Sequence, residues 1–349
     1  SRSVSLRLLY RRTHRDPIQP QTTSTLMRRV ILIDALNMFI RSWTINPSMS
    51  TNGNPIGGTV GFLGSIRKVV NDFSPDEVII CWDGAGGSQK RRQVIKSYKE
   101  GRKPIRKNYE VEGMTKQSEN ENKFWQQEIL AEMLNEMPTI QFMFAGTEAD
   151  DVIAFLAKSP KYEGWQKVII SSDKDFIQLL DDETVLYRPI QKKALNKKMV
   201  IEEFGISPQN FAIARAMAGD KSDNLPGIGG AGLKTITKRL PFLAEEEEHY
   251  IGEICDFCEE TDSKSNFYEK VLDSRELIEA NYKVMNLVPP AISVQDAQKI
   301  NYAIDNFVPE LNATGLRKMS IQHGFGSFSW DYYFASLNGV IKRRKPVDV

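Results

Sequence analysis

Val30-Ile31-Leu32-Ile33-Asp34 decides the fold: four branched apolar residues run straight into an acid. The pattern returns at Val78-Ile79-Ile80-Cys81-Trp82-Asp83 and at Val168-Ile169-Ile170-Ser171-Ser172-Asp173. Short Val- and Ile-rich runs without polar alternation predict strands buried on both faces, as in parallel sheets. Amphipathic helical patterns lie between them, at 60–72 and 124–136. Strand–helix alternation predicts an α/β fold around a parallel sheet. In such sheets ligands bind beyond the carboxyl ends of the strands, so three acids at three strand ends would meet in one crevice.

Working outward, the character changes near residue 200. No comparable β-run follows, and 208–218, 230–240, 247–260, 264–286 and 294–307 read as helices. The expected organisation is a disordered basic leader over 1–26 and an α/β core over 27–200. A helical region over 201–290 and a C-terminal helical region with a basic tail over 291–349 would follow. The leader holds five of the 46 basic residues and one of the 45 acids, leaving 41 basic and 44 acidic residues in 27–349. The overall charge of +1 therefore combines a +4 leader with a body of −3. An Arg- and Ser-rich, acid-poor leader suits a transit-like presequence or translated upstream sequence, so organelle targeting stays open beside a cytoplasmic location. No apolar run approaches the roughly 18–20 residues of a membrane-spanning helix. Three cysteines exclude a disulfide scaffold and point to a reducing compartment. His14, His249 and His323 lie far apart in sequence, which argues against a histidine-rich zinc site.

More acids follow the strand-end set. Glu148, Asp150 and Asp151 stand where a helix should start, with Glu148 and Asp151 on one face at i,i+3. Asp175 follows Asp173 by two, and Asp220 and Asp223 precede a Pro-Gly turn. Each acid alone reads as a cap or turn residue. Together, the nine carboxylates Asp34, Asp83, Glu148, Asp150, Asp151, Asp173, Asp175, Asp220 and Asp223 would repel one another unless cations relieved them. Two hard divalent ions, Mg2+ with Mn2+ as substitute, suit oxygen donors and can serve phosphodiester hydrolysis.

Residues 90–107 carry nine basic residues and one acid. Lys90, Arg91, Arg92, Lys96, Lys99, Arg102, Lys103, Arg106 and Lys107, with Tyr98 among them, suit phosphates and unstacked bases. A solvated basic helix face is the competing reading. The polar stretch 108–123 reads as a loop or a helix ordered by ligand. Gly227, Gly229, Gly230 and Gly232, followed by Lys234 and Lys238, would place backbone amides and cations at a helix start, a DNA-backbone clamp.

Six stretches together carry a family resemblance: Ile33-Asp34, Cys81-Trp82-Asp83, Ser97-Tyr98-Lys99-Glu100-Gly101-Arg102, Glu148-Ala149-Asp150-Asp151, Ser172-Asp173-Lys174-Asp175 and Gly219-Asp220-Lys221-Ser222-Asp223-Asn224-Leu225-Pro226-Gly227-Ile228. In this order they resemble the structure-specific 5′-nucleases, the flap endonucleases and 5′→3′ exonucleases. The likeness is strongest to the 5′-nuclease domain of bacterial DNA polymerase I, and without a polymerase domain the chain is similar to the free-standing phage enzymes, such as the RNase H of T-even phages. The resemblance implies a PIN-like core in which Asp34, Asp83, Glu148, Asp150 and Asp151 serve a first metal region and Asp173, Asp175, Asp220 and Asp223 a second. It implies that Lys99 and Arg102 act on the scissile phosphate, with Tyr98 stacking on the terminal base. Residues 90–125 would form a helical arch, and 212–240 a helix–three-turn–helix motif holding K+ on duplex DNA. The implied substrates are flaps, nicks, gaps and RNA–DNA primers, and the implied partners a single-strand-binding protein or sliding clamp; the chain is expected to be monomeric, in a bacterial or phage-infected cell. Two other readings stay open, a catalytically silent DNA-junction module and a PIN-like ribonuclease. The Cys255-x-x-Cys258 pair lacks the second pair a zinc site needs, the Glu245–Glu248 run reads as a solvated face, and the Lys342–Lys345 tail as frayed.

Overall fold

The computed structural model describes residues 27–326 and 328–344, so the leader and Lys345 lie outside the described residues. Six strands form one sheet: β1 (Arg29–Asp34), β2 (Glu77–Trp82), β3 (Ile140–Met143), β4 (Gln166–Ile170), β5 (Thr184–Arg188) and β6 (Lys193–Leu195). Their order is β3-β2-β1-β4-β5-β6, with only β6 antiparallel to its neighbour. The three apolar runs form the centre of the sheet, with Ile33 opposite Ile80 on one side and Ile170 on the other. The short strands β3, β5 and β6 were not singled out from sequence.

Each central strand feeds two cores. Ile31, Ile33, Ile80, Val168 and Ile170 face the helices Ala35–Ile45, Gly57–Phe73, Lys116–Asn135 and Trp330–Arg344. Val30, Leu32, Ile79 and Ile169 face the helix Ala149–Ala157 and the helical half, including Phe211, Ile236 and Ile278. Burial on both faces explains why these strands lack alternation. The order reverses between β1 and β4, which opens a crevice at their carboxyl ends.

Several expectations are corrected. The helix expected from 124 starts at Lys116, because Thr115 and Ser118 form a reciprocal cap that supports two polar turns. The predicted arch is helical only over Gln89–Val94 and from Lys116 onward; turns and irregular backbone lie between. The helix expected over 264–286 breaks at Ser274 into Asn266–Asp273 and Arg275–Met285. Lys342, Arg343 and Arg344 are the last turn of a packed helix rather than a frayed tail. Arg343 Nε donates to the Pro75 carbonyl at 2.8 Å, and Arg344 pairs with Glu77 at 3.3 Å. Among the described residues no helix is long and apolar enough to cross a membrane.

Candidate active site

The carboxyl edge of the sheet gathers the acids. Asp34 ends β1 and accepts a 2.7 Å hydrogen bond from the Ser171 hydroxyl beyond β4, which stitches the reversal point together. Asn37, one turn along the next helix, bonds the Ser172 hydroxyl at 2.8 Å and accepts from the Ser172 amide at 3.1 Å. Neither Ser171 nor Asn37 was singled out from sequence, although Asn37 stands three residues after Asp34 on the helix that the acid starts. Asp83 follows β2 and accepts from the Ala149 amide at 2.7 Å, capping the helix that carries Asp150.

Asp150 is the least compensated acid. It has no hydrogen-bond or ion-pair partner among the described residues. Burial, and then Asp173, Asp34 and Glu148, hold its carboxyl well above the ordinary range, against the lowering effect of Lys99. Burial, with Asp83 and Asp173 adding, pushes Asp34 up to about 7 despite the bond from Ser171. Burial and Asp173 push Asp175 up to about 7, while Arg215 opposes. Asp173 is also raised, by burial first and by Asp223 and Asp220. Crowded carboxylates that hold protons this tightly are a donor set suited to hard divalent cations.

The second group is cross-linked by Arg215, which sequence reading missed. Its Nε meets Asp175 at 3.2 Å and its NH2 meets Asp220 at 2.5 Å. Burial works against the charge of Asp220, yet Ser222 and Arg215 hold its carboxyl below the usual range. The available signal was spacing: Arg215 lies in the last turn of the helix Pro208–Ala218, five residues before Asp220. Asp223 is buried beside the Arg102 guanidinium, with which it pairs.

Lys99 sits in the left-handed region at φ 58°, uncommon for a residue with a side chain. Its amide donates to the Asp223 carbonyl at 2.8 Å and its ammonium meets Glu148 at 2.7 Å. A strained backbone held from both ends thus aims this cation across the two acid groups.

Three expected roles are corrected. Asp151, expected as a metal ligand, is 2% exposed and already committed. Its oxygens take Arg91 at 2.8 and 3.2 Å and the Ala291 amide at 3.0 Å. Arg91, expected on DNA, is 8% exposed. It also bonds Glu148 at 2.9 Å and the Val284 carbonyl at 2.8 Å, so it ties the core to the helical half. Tyr98, expected to stack on a base, is 4% exposed with its hydroxyl 3.5 Å from Glu148, and its ring lies within the core.

Of the other basic residues, Arg92, Lys96, Lys103 and Arg106 are exposed. Lys107 is half-buried between the Trp43 and Tyr109 rings, 5.2 and 4.9 Å from their centroids, and burial lowers it to about 8. Lys234 and Lys238 are exposed on the helix Leu233–Arg239, which Gly232 starts. Gly227 is required by space: a Cβ there would lie 2.1 Å from the Ala218 carbonyl oxygen. Gly229 and Gly230 face open space, and the Gly229 carbonyl accepts Lys270 Nζ at 3.0 Å.

Fold and site together define an α/β protein with an acidic crevice at the sheet's switch point and basic side chains on its rim. Residues 29–205, just over half of the chain, match the family model for the 5′-3′ exonuclease N-terminal, resolvase-like domain, and the chain belongs to that family. It is 30% identical over 215 residues to a 5′-3′ exonuclease of Aquifex aeolicus, covering 61% of this chain and 69% of that protein. It is 31% identical over 213 residues to the thermostable DNA polymerase I of Thermus aquaticus, covering 61% of this chain. The match spans only 24% of the polymerase's length. The fold is shared with the flap endonuclease of bacteriophage T5, solved in a pseudo-enzyme–product complex with DNA and metal ions. That likeness has a TM-score of 0.63 at 18% identity over 80% of this chain and 99% of the phage protein.

Proposed function

We propose that the protein is a divalent-metal-dependent, structure-specific 5′-nuclease that hydrolyses phosphodiesters near the 5′ ends of flaps, nicks, gaps and RNA–DNA primers. The observation that carries this reading is Asp150: a carboxyl without a partner among the described residues, raised by burial and by three neighbouring acids, in a chain of the 5′-3′ exonuclease family. Asp34, Asp83, Glu148 and Asp150 would hold one ion, and Asp173, Asp175, Asp220 and Asp223 another. Mg2+ is the natural occupant of an all-oxygen set that keeps waters, and Mn2+ a substitute. Bound there, the ions supply water activation and leaving-oxygen stabilisation. In the reaction, water's oxygen bonds to phosphorus and the P–O3′ bond breaks, leaving a 5′-phosphate and a 3′-hydroxyl.

The chain's own residues do the rest. Lys99 places a positive charge beside Glu148, where charge on the phosphoryl oxygens would build. Arg102 flanks it from Asp223. Lys234 and Lys238, with the amides of the Gly-rich turn, would grip duplex backbone and contribute no base readout. A K+ ion on carbonyls of the turn within 212–240 belongs to the same reading; of those carbonyls, that of Gly229 accepts Lys270 Nζ at 3.0 Å.

A panel of end-labelled flap, nicked, gapped and RNA–DNA substrates with Mg2+ tests the reading, with Asp173→Asn as the inactive control that still binds DNA. Full activity in Asp173→Asn removes the metal assignment. No product with any divalent ion favours the silent junction module, and a preference for single-stranded RNA favours the PIN-like ribonuclease.

A further inference from the structure

Behind the crevice, on the far side of Arg91, lies a second cavity of about 290 Å3. Its lining comes from Gly87 and the helix Gln89–Val94, from Gly146 and Asp151, from the end of the helix Arg275–Met285, and from the segment 286–291. Val94, Tyr282 and Pro289 give it apolar sides. Its floor is the Arg91–Asp151 pair, and the carboxylate there is fully occupied by Arg91 and the Ala291 amide. That leaves two cations on the lining with no acid to answer them. Lys283 has no hydrogen bond or ion pair among the described residues. Lys90 makes one long bond, 3.3 Å to the Ala291 carbonyl.

We infer that this cavity binds a nucleoside 5′-phosphate, with the base or sugar against Tyr282, Val94 and Pro289 and the phosphate between Lys90 and Lys283. The size is at the lower end of small-ligand pockets, and the mix of apolar wall and a few placed charges is their usual chemistry. An aromatic wall suits a base by stacking, and exposed lysines suit a phosphate. The choice of a nucleotide among organic anions rests on the nuclease reading, whose product is a 5′-phosphate; the cavity and its charge do not depend on it. The group could arrive as a released mononucleotide or as the 5′-phosphorylated end of a strand.

The test is binding of a fluorescent deoxyadenosine 5′-monophosphate to the full chain, read by anisotropy. EDTA is present, so that no divalent ion can draw the probe to the acids. Lys283→Glu and Val94→Trp should each weaken binding at least about tenfold, a cost typical of reversing a phosphate contact or filling an apolar site. Val94 is 46% exposed, so the larger side chain can fill the cavity without disturbing the core. Lys99→Ala, at the crevice, should leave binding unchanged. Competition separates the sources: a 5′-phosphorylated pentanucleotide that displaces the probe identifies a strand end, and displacement by mononucleotide alone identifies a free product. Unchanged binding in both cavity variants, loss of binding in Lys99→Ala alone, or no saturable binding in the wild type would each overturn the inference. The cleavage panel is scored separately, since neither Lys283 nor Val94 belongs to the crevice.

Discussion

Replacing Arg91 with Met keeps most of its volume and removes five donors. In the folded protein that leaves Glu148 and Asp151, 3% and 2% exposed, without the guanidinium that neutralises both. Lys99 still holds Glu148, but Asp151 keeps only the Ala291 amide, and the Val284 carbonyl loses its donor. Breaking a buried ion pair from one side typically costs about 3–5 kcal/mol, because the other charge stays buried and unpaired. With a urea m-value of ~2–3 kcal/mol/M, the unfolding midpoint should fall by about 1–2.5 M. Adding Asp151→Leu to Arg91→Met should recover part of the loss, since an apolar replacement of a whole buried pair is often neutral. A loss below ~1 kcal/mol, the size expected of an exposed ion pair, would refute the claim that Arg91 is the strut between core and helical half.

Three further outcomes follow from the site. Asp34 and Asp175 stand at about 7 when folded against a reference of 3.8, so the folded state binds protons that the unfolded chain has released. The stability of the metal-free protein should therefore fall as pH rises from about 4 to 7, and the rise in Tm on adding Mg2+ should be small near pH 5 and large near pH 8; an equal Mg2+ effect at both pH values contradicts this. Lys99→Ala should lower kcat by roughly 10²–10³ with little change in KM, as expected for a group that acts mainly on charge developed during reaction; an unchanged turnover number in single-substrate kinetics removes that role. Gly227→Ala should cost about 1–3 kcal/mol or more and weaken duplex binding, because its methyl meets the Ala218 backbone, whereas Gly229→Ala should leave stability within about 0.5 kcal/mol in the same denaturant titration.

The sheet centre was legible because three runs needed two apolar faces each, and their alternation with helical segments pointed to a parallel sheet covered on both sides. Strand β6 was not, since Lys193-Ala194-Leu195 is three residues long and owes its conformation to pairing with β5. Most acids of the crevice were legible as a set, because Asp34, Asp83 and Asp173 follow strands and Glu148 and Asp150 open a helix at one edge of the sheet, whereas Asp220 and Asp223 stand in the turn after the helix Pro208–Ala218. The cations were less so. Arg91 and Arg92 are adjacent and identical in sequence, yet one is buried against two carboxylates and the other is exposed. A basic run shows how much charge is present, and only tertiary packing decides which members of it face inward.

Asp150 and Asp151 carry the same lesson into the site itself. Successive residues of a helix point about 100° apart, and here the two adjacent acids of the first turn meet different neighbours. Asp150 turns toward Asp34 and Asp173, and has no partner. Asp151 turns toward the helical half with Glu148, its neighbour three residues back, and the pair closes on one arginine. The i,i+3 spacing put Glu148 and Asp151 on one helix face, and one guanidinium answers both. Glu148 is left facing both ways, toward Arg91 on one oxygen and Lys99 on the other, and so joins the strut to the crevice.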